Sequence, residues 1–434
     1  MNSMNKREEY LNQIWPGYPP APRGAQSLAW AQKAGSSKDF AWVGGEVLQL
    51  SKGELWLVAQ GVTRCFQASE MIFFKTSPDW VVEEVLRSGD KVVVRLDEDR
   101  LEVMLLAPAW REGRKSPLST EVAQLWPRFL TTLRAHFNEL GFIEVNTPTL
   151  VPNPGYEPTL EPFAVELRQG REKRKLFLPT SPELHLKKML CEGWSEIFEI
   201  RSCFRNDEFS EQHQPEFTML EWYRSYCGLG QLADDLEQLV RAAVEPANAA
   251  ALQFKKISVA DLFQTVLNFK LTPQTTGHDL HQLWRSRQNE NLQNVAPAET
   301  WNDLYHRLWV EYLDPWLAQQ KDPVIVTGFP PSQAALSRIG EDGWAERLEL
   351  YWSGLEIANG FHELNNPFEQ RKRAEADLAE RQRLGLTKIE NDEQFLLALE
   401  SGMAPGVGIA VGLERLFMAI YGERDIKKLK AFPY

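Results

Sequence analysis

The chain has 434 residues, of which 43% are hydrophobic and 25% are charged, and its net charge is −12. This composition fits a folded protein with one large core and a smaller second domain, and the net negative charge argues against a surface that binds nucleic acid through bulk positive charge, although it leaves a local basic patch open. No apolar run approaches the roughly 20 residues that span a bilayer, so we expect a cytoplasmic protein without membrane contact.

The first predicted domain follows an irregular arm. Residues 1–38 are rich in Pro, Gly, Ser and Ala and lack sustained periodicity, which indicates the arm. Residues 39–107 show five strand patterns with one helix signal after the third, at residues 80–89, an order typical of a small OB-like β-barrel. Residues 108–118 combine prolines with basic residues and are predicted to be a linker. The barrel either only stabilises the protein or recognises a partner, and the residues leave both possibilities open.

Residues 119–434 are predicted to form one α+β domain. A helical pattern runs through Leu130, Leu133, Phe137 and Leu140. The strand-like runs that follow are separated by long excursions, which favours an antiparallel or mixed sheet with flanking helices. The chain has no Walker loop and no GxGxxG, and its four cysteines form no closely spaced pair, so neither a glycine-rich phosphate loop nor a cysteine metal site is expected.

The first predicted element of the active site is a strand that ends near Arg205. A polar loop follows, and the returning strand carries Phe217, Glu221 and Tyr223 at alternating positions, which directs them to one face of a sheet. Such a surface suits activation of a carboxylate by ATP, because a guanidinium can bridge phosphate and carboxylate while an aromatic ring stacks on adenine. Taken alone, the same pattern also fits an exposed charged hairpin.

Two further elements agree with ATP chemistry. Glu349 and Glu356 flank a turn at Ser353-Gly354, and two such carboxylates can hold Mg²⁺ between protein and phosphate oxygens. Downstream, a small-residue strand from Gly408 leads into a helix that begins near Arg415, where a guanidinium can meet a γ-phosphate. The alternative function of the glycines is close packing of strand and helix.

Together and in this order, these elements resemble the three signature motifs of class II aminoacyl-tRNA synthetases. The first motif is the long helix followed by FIEVNTP, whose Pro148 lies at the family's dimer interface. The stretches TSPELHLKK, HQPEFTMLEWY and ANGFHEL are similar to those of the lysine-specific enzymes. The resemblance covers roughly residues 119–434 and implies the class II fold, ATP and Mg²⁺ as partners, and a homodimer.

The resemblance also implies roles for individual residues. ATP is expected to contact Arg205, Asp207, His213, Phe217 and Arg415, of which the two arginines are catalytic. Lysine is expected to contact Glu183, Glu221, Tyr223, Asn359, Phe361, Glu363 and Ala410. The expected magnesium ligands are Glu349 and Glu356. Three carboxylates around a dicationic amino acid satisfy charge complementarity.

Within the lysine group, the sequence resembles the elongation factor P–lysine ligases. TSPE, EWY, SQA and GFHEL look like that group, as does Ala410, whose methyl would trim the pocket and could favour β-lysine. The predicted function is therefore adenylation of lysine or β-lysine and transfer to a lysine side chain of elongation factor P.

Two alternatives remain open at this stage. An OB-like N-terminal domain is what lysyl-tRNA synthetases use to grip the anticodon, so the second prediction is a lysyl-tRNA synthetase with a shortened anticodon domain and lysine tRNA as a partner. A catalytically silent paralogue is a third. Retention of Arg205, Glu349, Glu356 and Arg415 argues against it, because a binding module has no need of an ATP–magnesium clamp.

Overall fold

A computed structural model describes residues 25–27, 42–51, 54–59, 62–67, 70–73, 82, 86–97, 100–107, 117–287 and 299–433. The chain divides into two compact units, residues 1–124 and 125–434. Apart from 25–27, the predicted arm at 1–38 lies outside the described residues. So do most of the predicted linker at 108–118 and half of the helix predicted at 80–89.

The N-terminal unit is built on one mixed sheet. Its strands are β1 Ala25–Ser27, β2 Trp42–Ser51, β3 Glu54–Ala59, β4 Val62–Gln67, β5 Glu70–Phe73, β6 Lys91–Asp97 and β7 Arg100–Ala107. The order β4-β3-β2-β6-β7-β5 is that of an OB-like domain, with β1 beside β2. The five predicted strands are present, and β1 and β5 are additional. Strands β4 and β5 follow one another in the chain but lie at opposite ends of this strand order, where β5 pairs in parallel with β7.

The second unit contains an eight-stranded sheet and a separate hairpin. The strands are β8 Ile143–Glu144, β9 Ala164–Gln169, β10 Glu172–Phe177, β11 Glu196–Phe204, β12 Glu216–Ser225, β13 Lys255–Ser258, β14 Val324–Phe329, β15 Ala345–Trp352, β16 Leu355–His362 and β17 Gly406–Gly412. The sheet order is β13-β14-β15-β16-β17-β12-β11-β8, and β9 pairs with β10. Only the β13–β14 and β8–β11 pairs of this sheet are parallel. The predicted antiparallel α+β class is therefore confirmed.

Helices flank this sheet. They are α1 Thr120–Glu139, α2 Glu183–Cys191, α3 Leu229–Ala243, α4 Pro246–Ala251, α5 Val259–Leu267, α6 Gly277–Arg287, α7 Trp301–Leu308, α8 Asp314–Ala318, α9 Pro367–Arg383, α10 Glu393–Glu400 and α11 Leu413–Tyr421. A π-helix, Trp309–Leu313, joins α7 to α8, and 3₁₀ turns occupy Pro331–Gln333 and Ile426–Leu429. Among the described residues, no helix is long and apolar enough to cross a membrane.

Aromatic packing fixes α1 against the sheet. The buried face of α1 consists of Phe129, Leu133 and Phe137, and the Phe137 ring stacks on Phe198 with 4.6 Å between ring centroids. The predicted face was partly wrong, because Leu140 is 37% exposed. The helix ends at Glu139, so Leu140 lies in the turn that follows and not on the helical stripe.

Candidate active site

A cleft of about 410 Å³ lies over the middle of the large sheet. Strands β12, β16 and β17 form its floor, and the loops near Glu157 and His213 and the start of α11 form its walls. Of the residues on β12, Phe217, Met219, Glu221 and Tyr223 line the cleft while Trp222 is fully buried below the sheet. The period-two prediction for this strand is thus confirmed.

Strand register sets two rows of side chains across the floor. Glu221 pairs with Ala410, which pairs with Asn359 on the next strand. In the second row, Tyr223 pairs with Gly408, which pairs with Phe361. A Cβ atom at Gly408 would lie 2.2 Å from Cε1 of Tyr223 and 2.4 Å from Oε1 of Glu363, so only glycine fits there.

One end of the cleft is cationic. The Arg205 guanidinium lies 5.1 Å from the centroid of the Phe217 ring, and its Nε is buried without a hydrogen-bond partner in the described part of the chain. Nη1 of Arg415 donates to the carbonyl oxygen of Glu356 at 3.0 Å, and Nη2 contacts Nε2 of His213. Burial and Arg415 lower the pKa of His213, which leaves its ring neutral between two arginines. This end is suited to binding phosphate groups.

The other end is acidic. Glu221 accepts hydrogen bonds from the hydroxyls of Ser181 at 2.6 Å and Tyr223 at 3.0 Å, and burial together with Glu183 raises its pKa well above the ordinary value. Glu183 and Glu157 also line this end.

A buried lysine joins two of the acidic side chains. Lys187 is fully buried, and its Nζ lies 2.6 Å from Oε1 of Glu183 and 2.6 Å from Oε2 of Glu363. Burial lowers the pKa of Lys187, but the two carboxylates more than offset this effect, so the pKa lies above its ordinary value. Burial raises the pKa of Glu363 to about 7, although Lys187 opposes the shift. The ammonium therefore neutralises part of the negative charge behind the cleft.

The two carboxylates of the β15–β16 hairpin differ in their surroundings. Glu349 is buried, and its oxygens bond the Arg347 guanidinium and the Tyr351 hydroxyl, the latter at 2.6 Å. Glu356 faces the cleft and is accessible from it, and partial desolvation of its carboxyl group inside the cleft together with the nearby Glu349 raises its pKa to about 6. The predicted turn between the strands is confirmed, since Ser353 and Gly354 both have positive φ.

The sequence matches the family described as tRNA synthetases class II (D, K and N) over residues 114–434. The chain belongs to the class II tRNA synthetase family. It is 36% identical over 297 residues to an elongation factor P–(R)-β-lysine ligase of Haemophilus influenzae, an alignment that covers 67% of this chain and 88% of that protein.

Two more relatives carry the same name. The Edwardsiella ictaluri protein is 35% identical over 324 residues, with 72% of this chain and 96% of the relative covered, and the Vibrio cholerae protein is 34% identical over 328 residues, with 73% and 97% covered. The class II enzyme described here is accordingly a ligase of the lysine-specific type, in the group that contains the elongation factor P–β-lysine ligases. The family match begins at residue 114, so the N-terminal sheet lies outside it.

Most of the predicted site residues of this class II ligase lie around the one cleft. The lining residues among them are Glu183, Arg205, His213, Phe217, Glu221, Tyr223, Glu356, Asn359, Phe361, Ala410 and Arg415. Three predicted residues do not line it. Glu349 and Glu363 are buried behind the wall, and Asp207 is exposed outside it while its neighbour Glu208 lines the cleft.

Sequence reasoning missed Glu157, Lys187 and Arg347. Lys187 follows Glu183 by four residues on α2, a spacing that puts both side chains on one helical face and was visible in the sequence. Arg347 precedes Glu349 by two residues on β15, the spacing of one strand face. Nothing in the local pattern around Glu157 distinguishes it from a loop carboxylate.

Proposed function

We propose that this ligase activates lysine or β-lysine with ATP as an aminoacyl-adenylate and transfers the acyl group to a lysine side chain of elongation factor P. The observation that carries the proposal is the polarity of the cleft, which has two arginines at one end and buried carboxylates at the other. ATP and a diamino acid fit such a cleft in one orientation only, with phosphates at the arginines and ammonium groups at the carboxylates.

At the cationic end, Arg205 is assigned the α-phosphate and the substrate carboxylate. Phe217 stacks on adenine beside it, and His213 and Arg415 meet the γ-phosphate. One oxygen of the amino-acid carboxylate attacks the α-phosphorus, the bond to the β-phosphate oxygen breaks, and pyrophosphate leaves. Arg205 stabilises the negative charge that grows on the α-phosphate as this bond forms.

The residues around Glu356 fit a magnesium ion that enters with ATP. The Glu356 carboxyl faces the cleft, is accessible from it and, with a pKa of about 6, is mostly ionised at neutral pH, so it is a suitable oxygen donor; Mg²⁺ usually takes one or two protein carboxylates besides phosphate oxygens. When bound, the ion neutralises phosphate charge during the displacement. The oxygens of Glu349 already bond Arg347 and Tyr351. We therefore propose that Glu349 holds Arg347 in place near Glu356 and does not itself bind magnesium.

In the second step, the ε-amine of an acceptor lysine attacks the acyl carbon of the adenylate. The new amide bond forms, the bond to the phosphate oxygen breaks, AMP leaves and the amine loses a proton. Elongation factor P is proposed as acceptor because the relatives in Haemophilus, Edwardsiella and Vibrio carry that name. The methyl group of Ala410 on the cleft floor supports β-lysine as a substrate beside lysine.

One observation favours a second candidate. The N-terminal sheet has the strand order of an OB-like domain, and OB-like domains bind single-stranded nucleic acid. A lysyl-tRNA synthetase with a shortened anticodon-binding domain therefore stays the alternative, and it differs from the proposal only in the acceptor.

The activation step is tested by ATP–pyrophosphate exchange with lysine and with (R)-β-lysine. The proposal predicts exchange that depends on one or both of them, and loss of it in Arg205→Ala, because a single guanidinium aligns both reacting groups. Arg205→Lys is the matched control, which keeps the charge but not the bidentate geometry and should lose most activity as well. Exchange at the wild-type rate in Arg205→Ala would refute the assignment.

A further inference from the structure

The four carboxylates at the acidic end of the cleft are not equivalent. Glu183 and Glu363 share the buried ammonium of Lys187. Glu221 accepts hydrogen bonds from two hydroxyls and, among the described residues, pairs with no lysine or arginine. Glu157 lines the cleft and, in the described ranges, forms no ion pair with any lysine or arginine. Two carboxylates thus lack a counter-ion, and lysine brings two ammonium groups.

The loop that carries Glu157 is held firmly at several points. Nη1 of Arg381, a buried side chain of α9, donates to the carbonyl oxygens of Glu157 at 3.0 Å and Leu160 at 2.5 Å. On the near side of the loop, the Thr180 hydroxyl donates to the carbonyl of Pro154 at 2.7 Å. These bonds fix the backbone on both sides of Glu157, so its carboxylate is presented to the cleft by a rigid segment.

Gly155 makes room for this carboxylate. Its φ is +145°, and a Cβ there would lie 2.8 Å from Oε2 of Glu157 and 2.7 Å from the hydroxyl of Thr180. The carboxylate of Glu157 therefore packs over a backbone position that only glycine can supply.

The loop that carries Glu157 is hydrogen-bonded to the chain segment that carries Arg205. The backbone amide of Asn206, next to Arg205, donates to the carbonyl of Glu161 at 2.7 Å, which ties the same loop to the end of β11. Burial and Glu183 raise the pKa of Glu157, and the positive charges of Arg205 and Lys187 oppose them. If Arg205 holds the substrate carboxylate, the amino group closest to that carboxylate faces Glu157.

We propose that Glu157 is a specificity-determining residue that accepts the amino group next to the reacting carboxylate, whereas Glu221 with Ser181 and Tyr223 accepts the terminal ammonium. Arg381 is a positioning residue, since it touches the loop backbone and not the cleft. This assignment rests on the proposed function and adds to it a division of labour between the two carboxylates that Lys187 does not neutralise.

Analogues that lack one amino group test the assignment. In the exchange assay, 6-aminohexanoate keeps the carboxylate and terminal amine, and norleucine keeps the carboxylate and the adjacent amine. Glu157→Gln should raise the KM for lysine and the inhibition constant of norleucine by about tenfold or more, the loss of one charge-assisted hydrogen bond, and leave 6-aminohexanoate within about twofold. The complementary variant, Glu221→Gln, should weaken the binding of 6-aminohexanoate and leave the binding of norleucine unchanged.

The internal comparison separates a binding role from a folding defect. A misfolded Glu157→Gln protein would bind lysine, both analogues and ATP more weakly, and that result would overturn the assignment. An unchanged KM for lysine in this variant would overturn it as well. Wild-type protein without any lysine- or β-lysine-dependent exchange would refute the proposed function, and this assignment with it. Normal wild-type exchange with an unaltered Glu157→Gln variant refutes the assignment alone.

Discussion

Replacing Lys187 with methionine should destabilise the catalytic unit in a pH-dependent manner. The side chain is fully buried and its Nζ lies 2.6 Å from both Glu183 and Glu363. Methionine has a similar length and helix propensity, so the change removes the ammonium and little else. The buried Glu363 and the partly exposed Glu183 then lose their shared cation, and breaking a buried ion pair by removing one partner costs about 3–5 kcal/mol.

The pH dependence follows from Glu363. Burial raises its folded pKa to about 7, above the usual range of an unfolded glutamate, so between those values the folded protein holds the extra proton and stability falls as pH rises. Removing Lys187 removes a cation that lowers this pKa, and the pKa rises further. At pH values below the pKa of Glu363 in the variant, this carboxyl group is neutral, and its burial without a cation costs little free energy. The deficit of the variant should therefore be largest above about pH 7 and shrink towards about pH 5.5.

Urea unfolding of wild type and variant at these two pH values measures the effect. The double variant Lys187→Met with Glu363→Gln is the control, because it removes one of the two stranded charges and should recover part of the loss. An equal deficit at both pH values, or a deficit below about 1 kcal/mol at high pH, would mean that the charge of Lys187 does not stabilise the pocket.

Three further outcomes are expected. Glu363→Gln should raise the KM for lysine less than Glu221→Gln does, because Glu363 lies behind the cleft wall and already pairs with Lys187, whereas Glu221 faces the cleft; an equal or larger effect of Glu363→Gln would contradict this placement. The protein should be a homodimer by light scattering at micromolar concentration, because the edge of the sheet leaves Ile143 and Trp194 exposed beside the first motif, and a monomer would contradict this. Deletion of residues 1–107 should leave exchange activity largely intact, and its loss would give the N-terminal domain a part in activation.

The cleft floor could be predicted from sequence because strand periodicity is local. Phe217, Glu221 and Tyr223 alternate along β12, and a period of two fixes their common face whatever the neighbouring strands are. The turn at Ser353-Gly354 was equally visible, since two left-handed residues between strand patterns specify a tight hairpin.

Residues whose roles depend on distant partners could not be predicted. Lys187 meets Glu363 only because α2 packs behind the end of β16, and no sequence spacing encodes that contact. Glu349 is a different case, because its partners Arg347 and Tyr351 are each two residues away on the same strand face, and the prediction considered only its spacing from Glu356. Glu157 depends on Arg381, more than two hundred residues away along the chain.

The acceptor is the central question, and one assay addresses it directly. The full-length protein is incubated with ATP, magnesium and either lysine or (R)-β-lysine, alongside purified elongation factor P and, separately, lysine tRNA. Intact-mass analysis of the protein and acid-gel analysis of the tRNA measure acyl transfer to each. We predict a stable mass increase of one acyl group on elongation factor P and little charging of tRNA. Efficient tRNA charging with unmodified elongation factor P would contradict the ligase function and establish a lysyl-tRNA synthetase in its place.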